Sequence, residues 1–315
     1  MNTHRNKTPR VLSFHEAESL CESVFLENGP YYHLCTPGGQ MEILFEDEED
    51  FRFVMNLVAF CTWQSRGVTV LTFEIMDNHL HVVMSGEKER LLAWFDLFKR
   101  RLQRYFLDKG VVKDLSGFTA FLFPIDTLET LRNTLAYVNR NGYLVDARYT
   151  PFSYPWGANR FFFQPDISHL QGTRYEDLTF REKRRLFRSH AIDYPNTHLV
   201  MDGYVLPASF CALGLAESMF QSARQYFFLL SRNVEAYRSI ASQLGDLVFY
   251  TDDELFLVVR QLCKDAYGTS RPSTLSKEAK WDIARKMHFD YQAGNKQIQR
   301  MLRLEEREVI ALFGK

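Results

Sequence analysis

The feature that most constrains this chain is an alternation, through its first half, of short apolar segments of period two with longer ones of period 3.6. Strand side chains alternate between two faces and helical ones recur every three or four residues, so each pattern excludes the other locally. Tyr31 to Cys35 is bounded by Gly29-Pro30 and by Pro37-Gly38-Gly39 and reads as a strand between turns. The acidic run Glu46 to Asp50 precedes Phe53, Val54, Leu57, Val58 and Cys61 at helical spacing. Carboxylates in a first turn suit the positive end of a helix dipole, so this run reads as a helix start rather than a metal site. After Gly67, residues 68–76 and 79–84 are β-rich and meet at Asp77-Asn78, a turn-forming pair, as a hairpin or a bulged strand would. Leu91, Leu92, Phe95, Phe98, Leu102 and Phe106 trace one face of a helix over residues 88–109 that stops at Gly110. Residues 117–125 read as a strand, and 128–141 as a helix capped by Gly142. The aromatic, Pro-containing stretch 149–163 reads as an exit segment wrapped over this first unit.

Beyond it the pattern turns helical, at 178–189, 208–230 and 252–263, and carries no recognisable motif. A linker at 268–274 leads to three short helices at 276–289, 295–302 and 306–313. The expected divisions are therefore residues 1–165, 166–266 and 271–315. The net charge of −1 gives no sign of nucleic acid in the total, so any such signal is local. Lys99, Arg100, Arg101 and Arg104 decorate the third helical segment, a second basic cluster runs from Arg181 to Arg188, and residues 271–315 hold 10 Lys or Arg against 6 Asp or Glu. Five scattered cysteines without a CxxC pair argue against a disulfide framework and a zinc cluster, and suit a cytoplasmic location. No apolar run approaches the roughly 20 residues of a membrane span, so no membrane partner is expected.

Two groups carry potential chemistry. In His79-Leu80-His81, alternate residues of a strand point to one side, so two imidazoles converge where a divalent cation can sit. In Tyr137-Val138-Asn139-Arg140-Asn141, residues four apart share a helix face, so Tyr137 and Asn141 present together. Taken singly, each has an ordinary explanation: paired structural histidines, or a core tyrosine followed by a helix-terminal asparagine.

Together, and in this order, they resemble the HUH single-tyrosine transposases, in particular the REP-associated tyrosine transposase branch. Tyr32-His33 leading to Ile43-Leu44-Phe45 and Asp50 resembles that family's opening strand and acidic helix start. Met76-Asp77-Asn78-His79-Leu80-His81 resembles its Met-Pro-Asn-His-hydrophobic-His signature, and Tyr137-Val138 with Asn141 and the downstream Tyr154-Pro155-Trp156 its tyrosine helix and Trp segment. Two positions depart: Asp77 and Gly142 stand where the family has proline. The resemblance covers roughly the first half of the chain. It implies an α+β fold, with an antiparallel sheet and flanking helices in the ferredoxin-like HUH nuclease arrangement. It further implies Tyr137 as nucleophile, His79, His81 and Asn141 as ligands of Mg²⁺ or Mn²⁺, and cleavage and rejoining of single-stranded or hairpin DNA through a covalent phosphotyrosine. Lys99, Arg100, Arg101, Arg104 and Tyr105 are the corresponding candidate DNA contacts. The terminal segment around Gly294 to Ile298 resembles a helix-turn-helix, with Lys296, Gln297, Arg300 and Arg303 as candidate contacts to double-stranded DNA. A hairpin-binding regulator with little turnover and a metal-dependent phosphodiesterase remain as alternatives, as does the choice between a monomer and a homodimer exchanging its tyrosine helix.

Overall fold

The computed structural model describes residues 13–37, 43–145, 149, 152–189, 193–231, 252–291 and 293–314. Ser13 opens α1 (Phe14–Asn28): its side chain caps the Glu16 N–H, and the Glu16 carboxylate accepts from the Ser13 N–H at 2.9 Å. There follow β1 (Tyr31–Cys35), α2 (Glu48–Gln64), β2 (Thr69–Ile75), β3 (Leu80–Ser85), α3 (Lys88–Lys109) and β4 (Phe121–Ile125). The four strands form one antiparallel sheet in the order β2-β3-β1-β4. The fold is thus α+β.

Local chemistry fixes the elements around this sheet. The acidic run does start α2: Asp47 accepts the Asp50 N–H at 2.9 Å, while the buried Asp50 carboxylate accepts the Tyr105 hydroxyl at 2.6 Å and the Lys109 ammonium at 2.7 Å. Asp77-Asn78 is the turn of a β2–β3 hairpin, in which the Met76 N–H donates to the His79 carbonyl at 2.9 Å. The outer edge of β2 is covered rather than bare. Ile75 N–H donates to the Trp156 carbonyl, Ala158 N–H to Phe73, and Ala212 N–H to Val70.

α4 (Leu128–Val145) continues past Gly142, so that glycine is not the helix cap the sequence suggests. Its lack of a side chain serves contact instead: a Cβ there would lie 2.1 Å from Glu74 Oε1 and 2.2 Å from Tyr154 Cδ1. A buried chain of hydrogen bonds also seats α4. Thr72 donates its hydroxyl to Asn139 Oδ1 (2.5 Å), Asn139 Nδ2 donates to the Tyr226 hydroxyl (2.8 Å), and that hydroxyl donates to Asn159 Oδ1 (2.5 Å). Asn139→Ala strips partners from two buried hydroxyls and is expected to reduce stability by about 2–4 kcal/mol in urea unfolding. A loss well under about 1 kcal/mol would show that this chain does not hold the helix.

The following segment is less helical than its pattern implies. It contains β5 (Thr173–Arg174), α5 (Phe180–Phe187), β6 (Leu199–Met201), β7 (Tyr204–Val205), α6 (Pro207–Phe210), α7 (Leu213–Ser218) and α8 (Ala223–Leu230). The single helix expected over 208–230 is three short ones. Its breaks follow from Ala212, whose N–H is drawn to β2, and from Ser222, whose hydroxyl caps α8 by accepting the Gln225 N–H. A small sheet, β5-β6-β7, turns at Asp202-Gly203, both with positive φ (53° and 84°). Aspartate-glycine is a strong two-residue hairpin signal, because both positions tolerate the left-handed region.

One hydrophobic cluster runs from Cys21 to Leu230, so residues 166–230 share a core with the first half. A second joins α9 (Asp252–Tyr267), α10 (Lys277–Phe289), α11 (Asn295–Leu302) and α12 (Glu306–Phe313) through Leu255, Val259, Ile283, Met287, Ile298 and Leu302. Among the described residues no helix is long and apolar enough to cross a membrane.

Candidate active site on the sheet face

Register places the site. His81 of β3 lies opposite Cys35 of β1 and Glu74 of β2, and Val83 opposite His33 and Thr72. Directly opposed residues project to one side, so Thr72, Glu74, His33 and His81 share a face. α4 packs on it, through Thr72–Asn139 and through the Gly142 N–H, which donates to Glu74 Oε1 at 3.0 Å.

Tyr137 thereby meets the histidines. Its ring centroid lies 6.0 Å from that of His81 and 6.4 Å from that of His33, and the His79 and His81 rings are 4.9 Å apart. Tyr137, Asn141 and His81 are buried, at 3%, 7% and 0% exposure, and His79 is half-buried at the mouth of the hairpin. Of the four residues singled out in the sequence, His81 thus lies on β3, His79 immediately before it, and Tyr137 and Asn141 on α4.

Hydrogen bonds orient the imidazoles. The carboxamide oxygen of Asn78 accepts from His79 Nδ1 at 2.7 Å, an arrangement that in the neutral ring leaves the lone pair on Nε2. His81 Nδ1 is 3.1 Å from His33 Nε2, one ring donating and the other accepting. Burial drives His81 down to about 3 and His33 well below the ordinary histidine range, the latter helped by its proximity to His81. Both rings are therefore neutral at pH 7, the form that ligates metals. Burial pushes the Glu74 carboxyl well above its usual range, against the opposing hydrogen bond from Gly142.

His33, Thr72 and Glu74 were not evident as site residues from motif spacing. A polar residue at alternate positions of an otherwise apolar strand is the signal each carries. Of the cations on α3, Arg101 is engaged elsewhere: its guanidinium lies 4.0 Å from the Phe60 ring centroid and donates to the Phe187 carbonyl at 3.0 Å. Arg104 pairs with Asp108 at 2.8 Å, Lys99 is partly exposed and Arg100 exposed. In the terminal unit Lys296, Arg300 and Arg303 are exposed, and Gln297 accepts the Gly294 N–H to cap α11. α12 begins with Glu305, Glu306 and Glu308, Glu308 pairing with Lys277.

Comparison with protein-family models, curated proteins and solved structures returned no match to this chain.

Proposed function

We propose that the chain is a metal-dependent single-tyrosine DNA strand transferase of the HUH type. The observation that carries this reading is the approach, within one chain, of Tyr137 to His81, whose ring lies 4.9 Å from that of His79. The β-α-β-β-α-β connectivity and the β2-β3-β1-β4 strand order, which are those of a ferredoxin-like sheet, support it, as does the position of the histidines at the start of an inner strand.

The donor set fits a divalent cation. The two imidazoles have their Nδ1 atoms engaged by Asn78 and His33, the outer contacts that commonly orient ligating histidines. Among the described residues no three His, Cys, Asp or Glu side chains are arranged to hold a metal; His79 and His81 would hold it, with Asn141 as the third ligand that the resemblance implies. When bound, Mg²⁺ or Mn²⁺ supplies charge neutralisation at the scissile phosphate. Tyr137 supplies the nucleophile: its oxygen forms a bond to phosphorus as the phosphorus–oxygen bond to the departing 3′ hydroxyl breaks, and the phenolic proton leaves to a base or water. The phosphotyrosine conserves the bond for rejoining by another 3′ hydroxyl.

The substrate is single-stranded or hairpin DNA, with Lys99 and Arg100 as flanking contacts. The terminal unit, read as a helix-turn-helix, contributes its cations from α11 rather than from the acidic start of α12. Lys296→Ala and Arg303→Ala are each expected to lower the salt dependence of double-strand binding by about one unit of slope; an unchanged slope would remove these residues from the interface. One observation favours the regulator reading: Tyr137 is only 3% exposed.

The test is incubation with labelled hairpin DNA and Mn²⁺ or Mg²⁺. A denaturation-resistant protein–DNA adduct is expected, absent in Tyr137→Phe. Cleavage without adduct would make the chain a phosphodiesterase, and binding without cleavage a regulator.

A further inference from the structure

We propose that Glu74 is a positioning residue that sets the depth and rotation of the Tyr137 helix over the histidine row, a role that rests on the strand-transferase reading above. Glu74 is the Cα partner of His81 across the β2–β3 ladder, so it stands beside that imidazole on the same face. It is 1% exposed, and its two oxygens have different fates. Oε1 accepts the Gly142 N–H at 3.0 Å; Oε2 is buried with no hydrogen-bond partner among the described residues.

Packing does not account for this group. A buried polar atom left unsatisfied costs roughly 1–3 kcal/mol, and a Met of similar length would fill the same space without that cost. What the carboxyl does provide is an acceptor for the backbone of α4, one residue beyond Asn141 and five beyond Tyr137. The contact is intimate, since a Cβ on Gly142 would lie 2.1 Å from Oε1. Two residues earlier on β2, Thr72 bonds Asn139. Two anchors on one strand, to helix positions three apart, fix both the rise and the rotation of α4. A slip of one residue would move Tyr137 by about 1.5 Å along the axis and about 100° around it, off the histidines.

The experiment uses the full chain, a labelled single-stranded hairpin and Mn²⁺. It measures single-turnover adduct formation at saturating DNA, DNA affinity by fluorescence anisotropy, and amide exchange at Gly142 by NMR. Glu74→Met, which fills the space without an acceptor, and Glu74→Asp, which withdraws it, are both expected to slow adduct formation about 10- to 100-fold. DNA affinity should be unchanged and exchange at Gly142 faster. Glu74→Gln keeps the acceptor and should restore the wild-type rate and protection. If one of the first two variants fails to fold, the other carries the test. A wild-type rate in either, or a Gln variant as slow as they are, overturns the positioning role while leaving the wild-type adduct and the strand-transferase reading in place. A wild-type protein that forms no adduct overturns both.

Discussion

Acidification of the metal-free protein below about pH 6.5 is expected to lower its stability by about 1.4 kcal/mol per pH unit from the sheet-face site. His33 and His81 have depressed affinities for protons in the folded state, so the unfolded chain binds protons first. Their contribution is complete above the unfolded value of about 6.5 and is lost as pH falls, down to about 3 for His81. Two such groups give a slope of about 2.7 kcal/mol per unit. Glu74 opposes them: its raised affinity means the folded state takes up a proton before the unfolded one, which returns about 1.4 kcal/mol per unit until pH reaches the unfolded carboxyl value of about 4.3. Glu74→Gln removes that opposition and should double the slope, whereas His33→Gln should nearly flatten it. Urea unfolding between pH 6.5 and 4.5 measures all three slopes. Equal slopes in wild type and Glu74→Gln would mean that this carboxyl is ionised when folded.

His81→Ala is expected to slow adduct formation by roughly 10³-fold. Loss of one of two imidazoles forfeits several kcal/mol of charge stabilisation at the phosphate, at about 1.4 kcal/mol per tenfold in rate. The change also strips His33 Nε2 of its partner in the core. His79→Ala, at the half-buried mouth, should weaken Mn²⁺ binding measured by calorimetry with little change in urea stability. An active His81→Ala variant that still binds Mn²⁺ would show the buried pair to be structural.

Much of the site was legible because its signals are local. Asp77-Asn78 marks a turn by its own chemistry, and the His79–His81 spacing puts both rings on one side of the chain in any strand. Tyr137 and Asn141 follow from helical spacing in the same way. What could not be read is the register that sets Glu74 and His33 beside His81, since strand pairing joins residues far apart in sequence. Gly142 was misread for a related reason. Glycine after a helix is usually a cap, and only the approach of Glu74 and Tyr154 reveals the other use. The helix pattern over 208–230 was real in its apolar spacing but lost to tertiary hydrogen bonds at Ala212 and the cap at Ser222. Two signals were present and unused: Ser13-x-x-Glu16, which starts α1, and Asp202-Gly203, which turns the small sheet. Nor does helical spacing show that Arg101 of α3 lies over the Phe60 ring and donates to the Phe187 carbonyl.

The most direct measurement is peptide mass spectrometry on the protein–DNA complex after nuclease digestion. The account predicts a nucleotide phosphate on the peptide containing Tyr137, linked through the phenolic oxygen. A nucleotide on any other residue, or DNA cleaved with none attached, would contradict it.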